Sequence, residues 1–314
     1  MSAEARPLLS ILIVNWNAGE LLTRCVESID AALPAALRAA CEVIVVDNGS
    51  TDGSADRLAL QAGDQILRQA ANLGFGAACN RGAEHAKGEY LLLFNPDCEL
   101  RAGSVERCIA ELQRGDLRVG ICGLALVDDS GSVARTCHRF PGLRELLGTA
   151  AGLHAISRRR FDSRMHDWDH ASDRSVDHVI GAFYMMRLST FRALGGFDER
   201  FFVYLEDLDL SLRAQQAGWV TRFVAGPPSY HLGGGISRQI LARRLFYATR
   251  SRLRYAHKHL PPWQAHVHTA VTLLVEPLSR SMQALLRRSP RDLRATWQGF
   301  AMLYRDLLAP GRGR

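Results

Sequence analysis

The chain has 314 residues, 47% hydrophobic and 23% charged, enough for one large α/β domain with an appendage. No run approaches the roughly 20 apolar residues that cross a bilayer, Met1 to Pro7 is polar rather than signal-like, and seven scattered cysteines without a CxxC pair exclude a disulfide framework or cysteine zinc site and point to free thiols in a reducing cytoplasm. The net charge of +7 is unevenly spread: residues 238–314 carry 15 Lys+Arg against 3 Asp+Glu, whereas 1–237 carry 24 against 29, an acidic domain with a basic tail.

In chain order, Leu9 to Val14 reads as a buried strand, with Asn15-Trp16-Asn17 as the loop after it. Helical spacing runs from Leu21 to Leu37, interrupted at Pro34. Glu42 to Val46 is a second strand, and it ends in the turn cluster Asp47-Asn48-Gly49-Ser50-Thr51-Asp52. Thr51 or Asp52 would cap a helix over Ala55 to Ala62. Gln65 to Arg68 is a short third strand, and Asn72-Leu-Gly-Phe-Gly76 leads into a helix over Ala77 to Ala86. Tyr90 to Phe94 is an unbroken apolar run, a strand buried on both faces, stopped by Asn95-Pro96-Asp97 where proline removes a ladder donor. A helix over Val105 to Arg114 and a strand over Val119 to Val127 follow. From Asp128 to Asp177 the pattern dissolves, and histidines 138, 154, 166, 170 and 178 are expected on a solvated loop, since no ligand spacing recurs. Val179 to Met186 resumes as a strand, and helices over Leu188 to Leu194 and Leu205 to Ala217 end at Gly195-Gly196 and Gly218. Beyond Gly235 the chain turns helical and basic. Strands alternating with helices imply βαβ units and a mostly parallel sheet.

In such a sheet ligands collect beyond the carboxyl ends of the strands. Asp97 at one such end suits a hard cation bridging phosphate oxygens. Asp47 at another can accept the N3–H of a uracil or thymine ring. Read alone, Asp97 is sooner a turn residue with an Asx-type hydrogen bond, and Asp47 at least as readily a turn-forming Asp. The small-residue helix start from Asn72 through Gly76 to Asn80 can face backbone N–H groups to phosphate or sugar. It is neither a Rossmann fingerprint nor a GxxxxGK[ST] loop, so a nicotinamide oxidoreductase and a nucleotide hydrolase lose support. Glu206, Asp207 and Asp209 at a helix start fit the macrodipole, but three acids in four residues suggest that one is a general base. His231-Leu-Gly-Gly-Gly-Ile-Ser-Arg238 reads either as a lid over a diphosphate, with His231 a metal ligand, or as a plain hinge.

Taken together, Val14 to Asn17, Val45 to Gly53, Asn72 to Gly76, Asn95-Pro96-Asp97, Gly195 to Glu199 and Glu206 to Leu210 resemble a family 2 glycosyltransferase of GT-A fold, over about residues 8 to 260. Within that family the Asn-Pro-Asp variant, Trp168-Asp169-His170 and Val176-Asp177 before Gly181-Ala182 look like bacterial rhamnosyltransferases. The resemblance implies an α/β, Rossmann-like fold with a mostly parallel central sheet flanked by helices. A GT-A domain over 1–237 would carry an acceptor-side insertion at 128–178, with a basic helical extension over 238–314.

The implied reaction is an inverting transfer from a nucleoside-diphosphate sugar. Asn15, Asn17 and Asp47 would hold the nucleotide, with Asn72, Gly76, Asn80 and Asn95 completing the donor site. Asp97 and His231 would hold a divalent cation (Mg²⁺ or Mn²⁺), and Asp207 would deprotonate the acceptor hydroxyl. The first Asp of the family's Asp-X-Asp element is Asn95 here, which leaves one carboxylate and a cation completed by water, phosphate and His231. The favoured donor is dTDP-rhamnose and the acceptor a surface glycan, polyprenyl-diphosphate-linked in one version. UDP-galactofuranose or another UDP-sugar, or sugar-nucleotide binding without turnover, are the alternatives. Nucleic acid is not expected as a partner, because the basic residues are confined to the tail. That tail suits an anionic membrane surface on the cytoplasmic side, or else packing and oligomer contacts through its helices.

Overall fold

The computed structural model describes residues 6–233 and 241–309. The strands are β1 (Leu9–Asn15), β2 (Cys41–Asp47), β3 (Gln65–Arg68), β4 (Tyr90–Phe94), β5 (Cys98–Glu99), β6 (Val119–Val127), β7 (Cys137–His138), β8 (Arg174–Val176), β9 (His178–Val179), β10 (Phe183–Arg187) and β11 (Val220–His231). The helices are α1 (Glu20–Ala32), α2 (Ala35–Ala39), α3 (Phe75–His85), α4 (Ser104–Leu112), α5 (Leu143–Ala150), α6 (Arg158–Phe161), α7 (Leu188–Ala193), α8 (Glu206–Gln216), α9 (Leu241–His259), α10 (Pro262–Leu274), α11 (Glu276–Leu286) and α12 (Pro290–Leu308).

The main sheet runs β3-β2-β1-β4-β10-β6-β11-β5, with β8 added against β11. The pairs β2–β3, β1–β2, β1–β4 and β6–β11 are parallel, while β10 lies antiparallel between β4 and β6. Every residue of β1, β2 and β4 is buried, which is why these strands are near-continuous apolar runs rather than alternating ones. Each fully buried Leu or Ile there contributes about 1.5–3 kcal/mol relative to exposure. All seven cysteines are buried, and none forms a disulfide.

The chain divides into two compact units. One comprises the described residues of Met1–His138, Asp169–Glu199 and Asp207–Gly234, and holds the sheet. The other comprises those of Arg139–Trp168, Arg200–Glu206 and Gly235–Arg314, and is helical. In the helical unit Leu253, Phe300 and Leu303 form one core cluster with Leu245, Phe246, Leu273 and Tyr304 packed on it. Leu146 of α5 joins Ala256 and Ala265 in another.

Three expectations need correction. The helix over 55–62 is only a single 3-10 turn, Ala55–Arg57. The residues beyond it are largely exposed, so a longer helix has no apolar face to bury. Asp52 caps no α-helix; it accepts from Ser54 and from Gly19 N–H. The strand over 179–186 is two, β9 and β10, broken at residues 180–182. The unpatterned 128–177 segment contains β7, β8, α5 and α6, and its histidines are not all solvated: His170 is buried, as is His178 just beyond it.

Candidate active site

The site assembles in the sheet unit, beyond the carboxyl ends of β1, β2 and β4. Parallel register sets Asn15 opposite Asp47. The Asn15 amide nitrogen lies 3.1 Å from Asp47 Oδ1, 3.1 Å from Ser50 Oγ and 2.8 Å from Ser54 Oγ, and its oxygen accepts from Ala18 N–H. A buried amide engaged this fully holds the loop in shape. Asn17 takes a positive φ of 52°, which Asn tolerates, and its oxygen accepts from Thr51 N–H at 2.8 Å. Asp47 also receives Arg68 Nη1 at 3.4 Å, and Arg68 reaches on to Asp56 at 2.5 Å. A carboxylate has about four lone-pair positions, so Asp47 retains acceptor capacity.

Asn48, to which sequence reasoning gave no role, joins this loop to the next. Its Nδ2 donates to Asn72 Oδ1 (3.1 Å) and Gly74 O (3.2 Å), and its Oδ1 accepts from Leu73 N–H (2.9 Å). The 47–50 turn presses directly on this segment: a Cβ on Gly49, whose φ is +73°, would stand 2.7 Å from the Ala71 carbonyl carbon. Asn72 and Gly76, the latter in the first turn of α3, therefore stand beside the Asp47 loop. The Asn80 amide is turned to a different task. It donates to Phe197 O and Glu199 Oε1 and accepts from Phe197 N–H, tethering the 196–199 loop to α3.

The two residues expected to hold a cation come together. Asp97 Oδ1 and His231 Nε2 lie 3.4 Å apart, each largely buried. The two-residue β5 makes this happen: it pairs antiparallel with the end of β11, setting Cys98 opposite His231, and Leu232 N–H closes onto Asp97 O. With Cys98 they form the one three-residue cluster of metal-ligand type found among the described residues, their donor atoms within 4.8 Å of one another. Burial and the Asp97 charge push the Cys98 thiol well above its ordinary value, and its S–H points to Ala182 O. With the Cys98 S–H turned to Ala182 O, a carboxylate and an imidazole are left as ligand-type groups, a donor set that would fit a divalent cation carrying phosphate oxygens. Gly234 to Arg238 of the glycine-rich stretch lie outside the described residues.

Asp207 stands in the first turn of α8, its Oδ2 accepting Gly181 N–H at 2.7 Å and its Oδ1 accepting Leu208 N–H at 2.8 Å. The same short break between β9 and β10 is fixed from the other side, because Asn95 N–H donates to Ala182 O at 3.0 Å. The Asn95–Asp97 turn and Asp207 are therefore joined through Gly181-Ala182. Burial pushes the Asp207 carboxyl above the ordinary carboxylate value, partly offset by those backbone N–H groups and by His138. His178 Nε2 lies 3.6 Å from Asp207 Oδ2. Its Nδ1 is 2.9 Å from Ser211 Oγ, which is 3.0 Å from Tyr184 OH. His178 is held neutral by burial, with its pKa pushed down to about 3. If Ser211 donates to Nδ1, the Nε2–H faces Asp207. His178 reaches this place by pairing with His138 across β7 and β9.

Solved structures share this architecture. The structure "GalNAc-T7 with UDP, GalNAc and Mn²⁺" superposes with a TM-score of 0.57 at 18% identity, over 81% of this chain and 48% of that one. The mannosyltransferase PcManGT from Pyrobaculum calidifontis, in complex with GDP-Man and Mn²⁺, gives 0.53 at 16% identity, over 97% and 88%. At this identity the likeness shows the fold, which is GT-A. In sequence the chain is similar to N-acetylglucosaminyl-diphospho-decaprenol L-rhamnosyltransferase of Mycobacterium tuberculosis, 28% identical over 90% of this chain and 96% of that protein. It is also similar to rhamnosyltransferase WbbL of Escherichia coli, 26% identical over 54% and 62%. The family described as "Glycosyl transferase family 2" matches residues 10–193, more than half of the chain, from the second residue of β1 through β10. By that match, on a GT-A sheet with this array of strand-end side chains, the chain belongs to glycosyltransferase family 2.

Proposed function

We propose that this glycosyltransferase moves L-rhamnose from dTDP-rhamnose, with inversion, to a lipid-linked diphosphate glycan that presents N-acetylglucosamine. The carrying observation is that one base-type carboxylate, Asp207, accepts Gly181 N–H, while Asn95 and Cys98, the residues flanking the Asp97–His231 pair, hold Ala182 O of the same break. The substrate class follows the near-full-length similarity to the mycobacterial rhamnosyltransferase.

In this reading Asp47 accepts the pyrimidine N3–H, and Asn17, Asn72, Gly76 and Asn95 line the donor. Asn15 and Asn80 act by holding the loops. Asp97 and His231 would hold a Mg²⁺ or Mn²⁺ ion, which when bound supplies positive charge beside the diphosphate. Asp207 removes the acceptor hydroxyl proton while that oxygen attacks the anomeric carbon and the bond to the diphosphate breaks. One displacement with one base inverts the anomeric centre and needs no enzyme nucleophile. Gly181 and Leu208 N–H hold Asp207 oriented for the transfer, and its raised pKa makes it a stronger base than a solvated carboxylate.

The test is incubation of the purified chain with dTDP-rhamnose, UDP-sugars and a short polyprenyl-diphosphate N-acetylglucosamine. The expected product is a rhamnosyl disaccharide whose anomeric configuration is opposite to the donor's. Turnover with a UDP-sugar and none with dTDP-rhamnose would reverse the donor assignment.

A further inference from the structure

Eleven of the fourteen large apolar side chains exposed among the described residues lie between 263 and 308. Helices α10 and α11 are separated by Val275 alone, and along them Trp263, Val267, Leu274, Leu278, Met282 and Leu285 recur at helical spacing on the outer side. Trp263 is 62% exposed and Leu274 70%. The inward positions of the same helices carry the small or cyclic Ala265, Pro277 and Ala284 together with His268, Thr272 and Glu276, the last three fully buried. A helix pair facing water has the opposite arrangement, with its apolar stripe turned to the core.

Charge says what covers this ridge. From 262 to 309 the exposed charged side chains are Arg287, Arg288, Arg291, Arg294 and Arg305, whereas Glu276 is buried and Asp292 and Asp306 are partly so. Arg291 and Arg294 also line a groove of about 550 Å³ together with Arg243. A second copy docked about a two-fold axis would set this cationic surface against itself. None of the helices described is long and apolar enough to cross a membrane.

We propose that the α10–α11 ridge and its flanking arginines are a docking surface for an anionic phospholipid bilayer. The ridge lies in the interface among the upper acyl chains while the arginines meet lipid phosphates. Docking by this surface is independent of the transfer chemistry, so a ridge that ignores membranes leaves the proposed reaction untouched.

Co-sedimentation of the full chain with phosphatidylglycerol-containing and pure phosphatidylcholine vesicles tests it, with circular dichroism confirming fold. Binding is expected to the anionic vesicles at low salt and to weaken as salt rises. Leu278→Ser with Leu285→Ser, and separately Arg291→Gln with Arg294→Gln, are each expected to lower the partition coefficient by roughly 10-fold or more. Should a ridge variant fail to fold, brominated lipid is expected to quench wild-type fluorescence and to quench Trp263→Phe less. Absence of wild-type binding, binding that neither pair reduces, or a dimer dissolved by the ridge variant without any vesicle binding would each overturn the proposal.

Discussion

Asp207 is caught between two environments: a buried setting that disfavours its charge and two backbone N–H groups that favour it, with burial prevailing. A base with a raised pKa is ionised only at higher pH, so the acid limb of kcat/KM is expected above the ordinary carboxylate range. Asp207→Asn is expected to lower turnover at least roughly 100-fold, the usual worth of general-base catalysis, with dTDP affinity nearly unchanged. Near wild-type turnover would remove Asp207 from the role. His178 would act through Asp207: with Ser211 donating to Nδ1, an Nε2–H 3.6 Å from Asp207 Oδ2 would favour the carboxylate, so His178→Phe is expected to move the acid limb to still higher pH, and an unmoved profile would make the histidine merely structural. The two residues were not equally legible. Asp207 stands in a conspicuous acidic cluster at a helix start. His178 is delivered by the pairing of two-residue strands, which leave no periodic trace in the sequence.

At the scale of elements, the proposed donor side consists of two loops clamped together, and Gly49 is a point where they touch. Alanine there would take a left-handed conformation costing about 1–2 kcal/mol and would also drive its Cβ into the backbone of Ala71 and Asn72. Gly49→Ala is thus expected to lower the urea midpoint and weaken dTDP binding together, whereas unchanged values for both would show that the clamp tolerates separation. On the metal side, calorimetry of dTDP binding is expected to show tighter association with Mn²⁺ or Mg²⁺ present and a much smaller metal effect in His231→Ala. Equal affinity in all four cases, with activity surviving a chelator, would refute a cation held by Asp97 and His231. Strand ends were legible because β1, β2 and β4 are buried on both faces and read as pure apolar runs. The joining of Asp97 to His231 was implied only by resemblance, since the pairing of β5 with β11 spans more than a hundred residues of chain.

For the whole molecule, the parallel half of the sheet was legible, but the composition of the helical unit was not, because α5 is short and its Leu146 packs on Ala256 and Ala265, more than a hundred residues along the chain. That distribution into two units gives stability a predictable pH dependence. Each unit contains a histidine kept neutral by its setting. His178 in the sheet unit is pushed down to about 3 by burial, and His268 in the helical unit to about 4 by burial and then by Arg252. Thr272, Glu276 and His257 are the other groups near His268, and Ser211, His138 and Asp207 those near His178. In the unfolded chain both imidazoles titrate near 6.5, the value each departs from. As pH falls below that value the unfolded chain takes up protons that the folded chain refuses, so stability is lost on acidification. Glu276 extends the decline: burial would raise its pKa, but Arg252 and Arg280 hold it below 4.5, and its contribution disappears as it protonates. The urea midpoint is therefore expected to fall between about pH 7 and pH 4. His178→Gln should flatten the transition of the sheet unit and His268→Gln that of the helical unit, followed respectively through Trp219 and Trp297. A wild-type midpoint constant across that range would mean that these histidines ionise in the folded chain as freely as in the unfolded one.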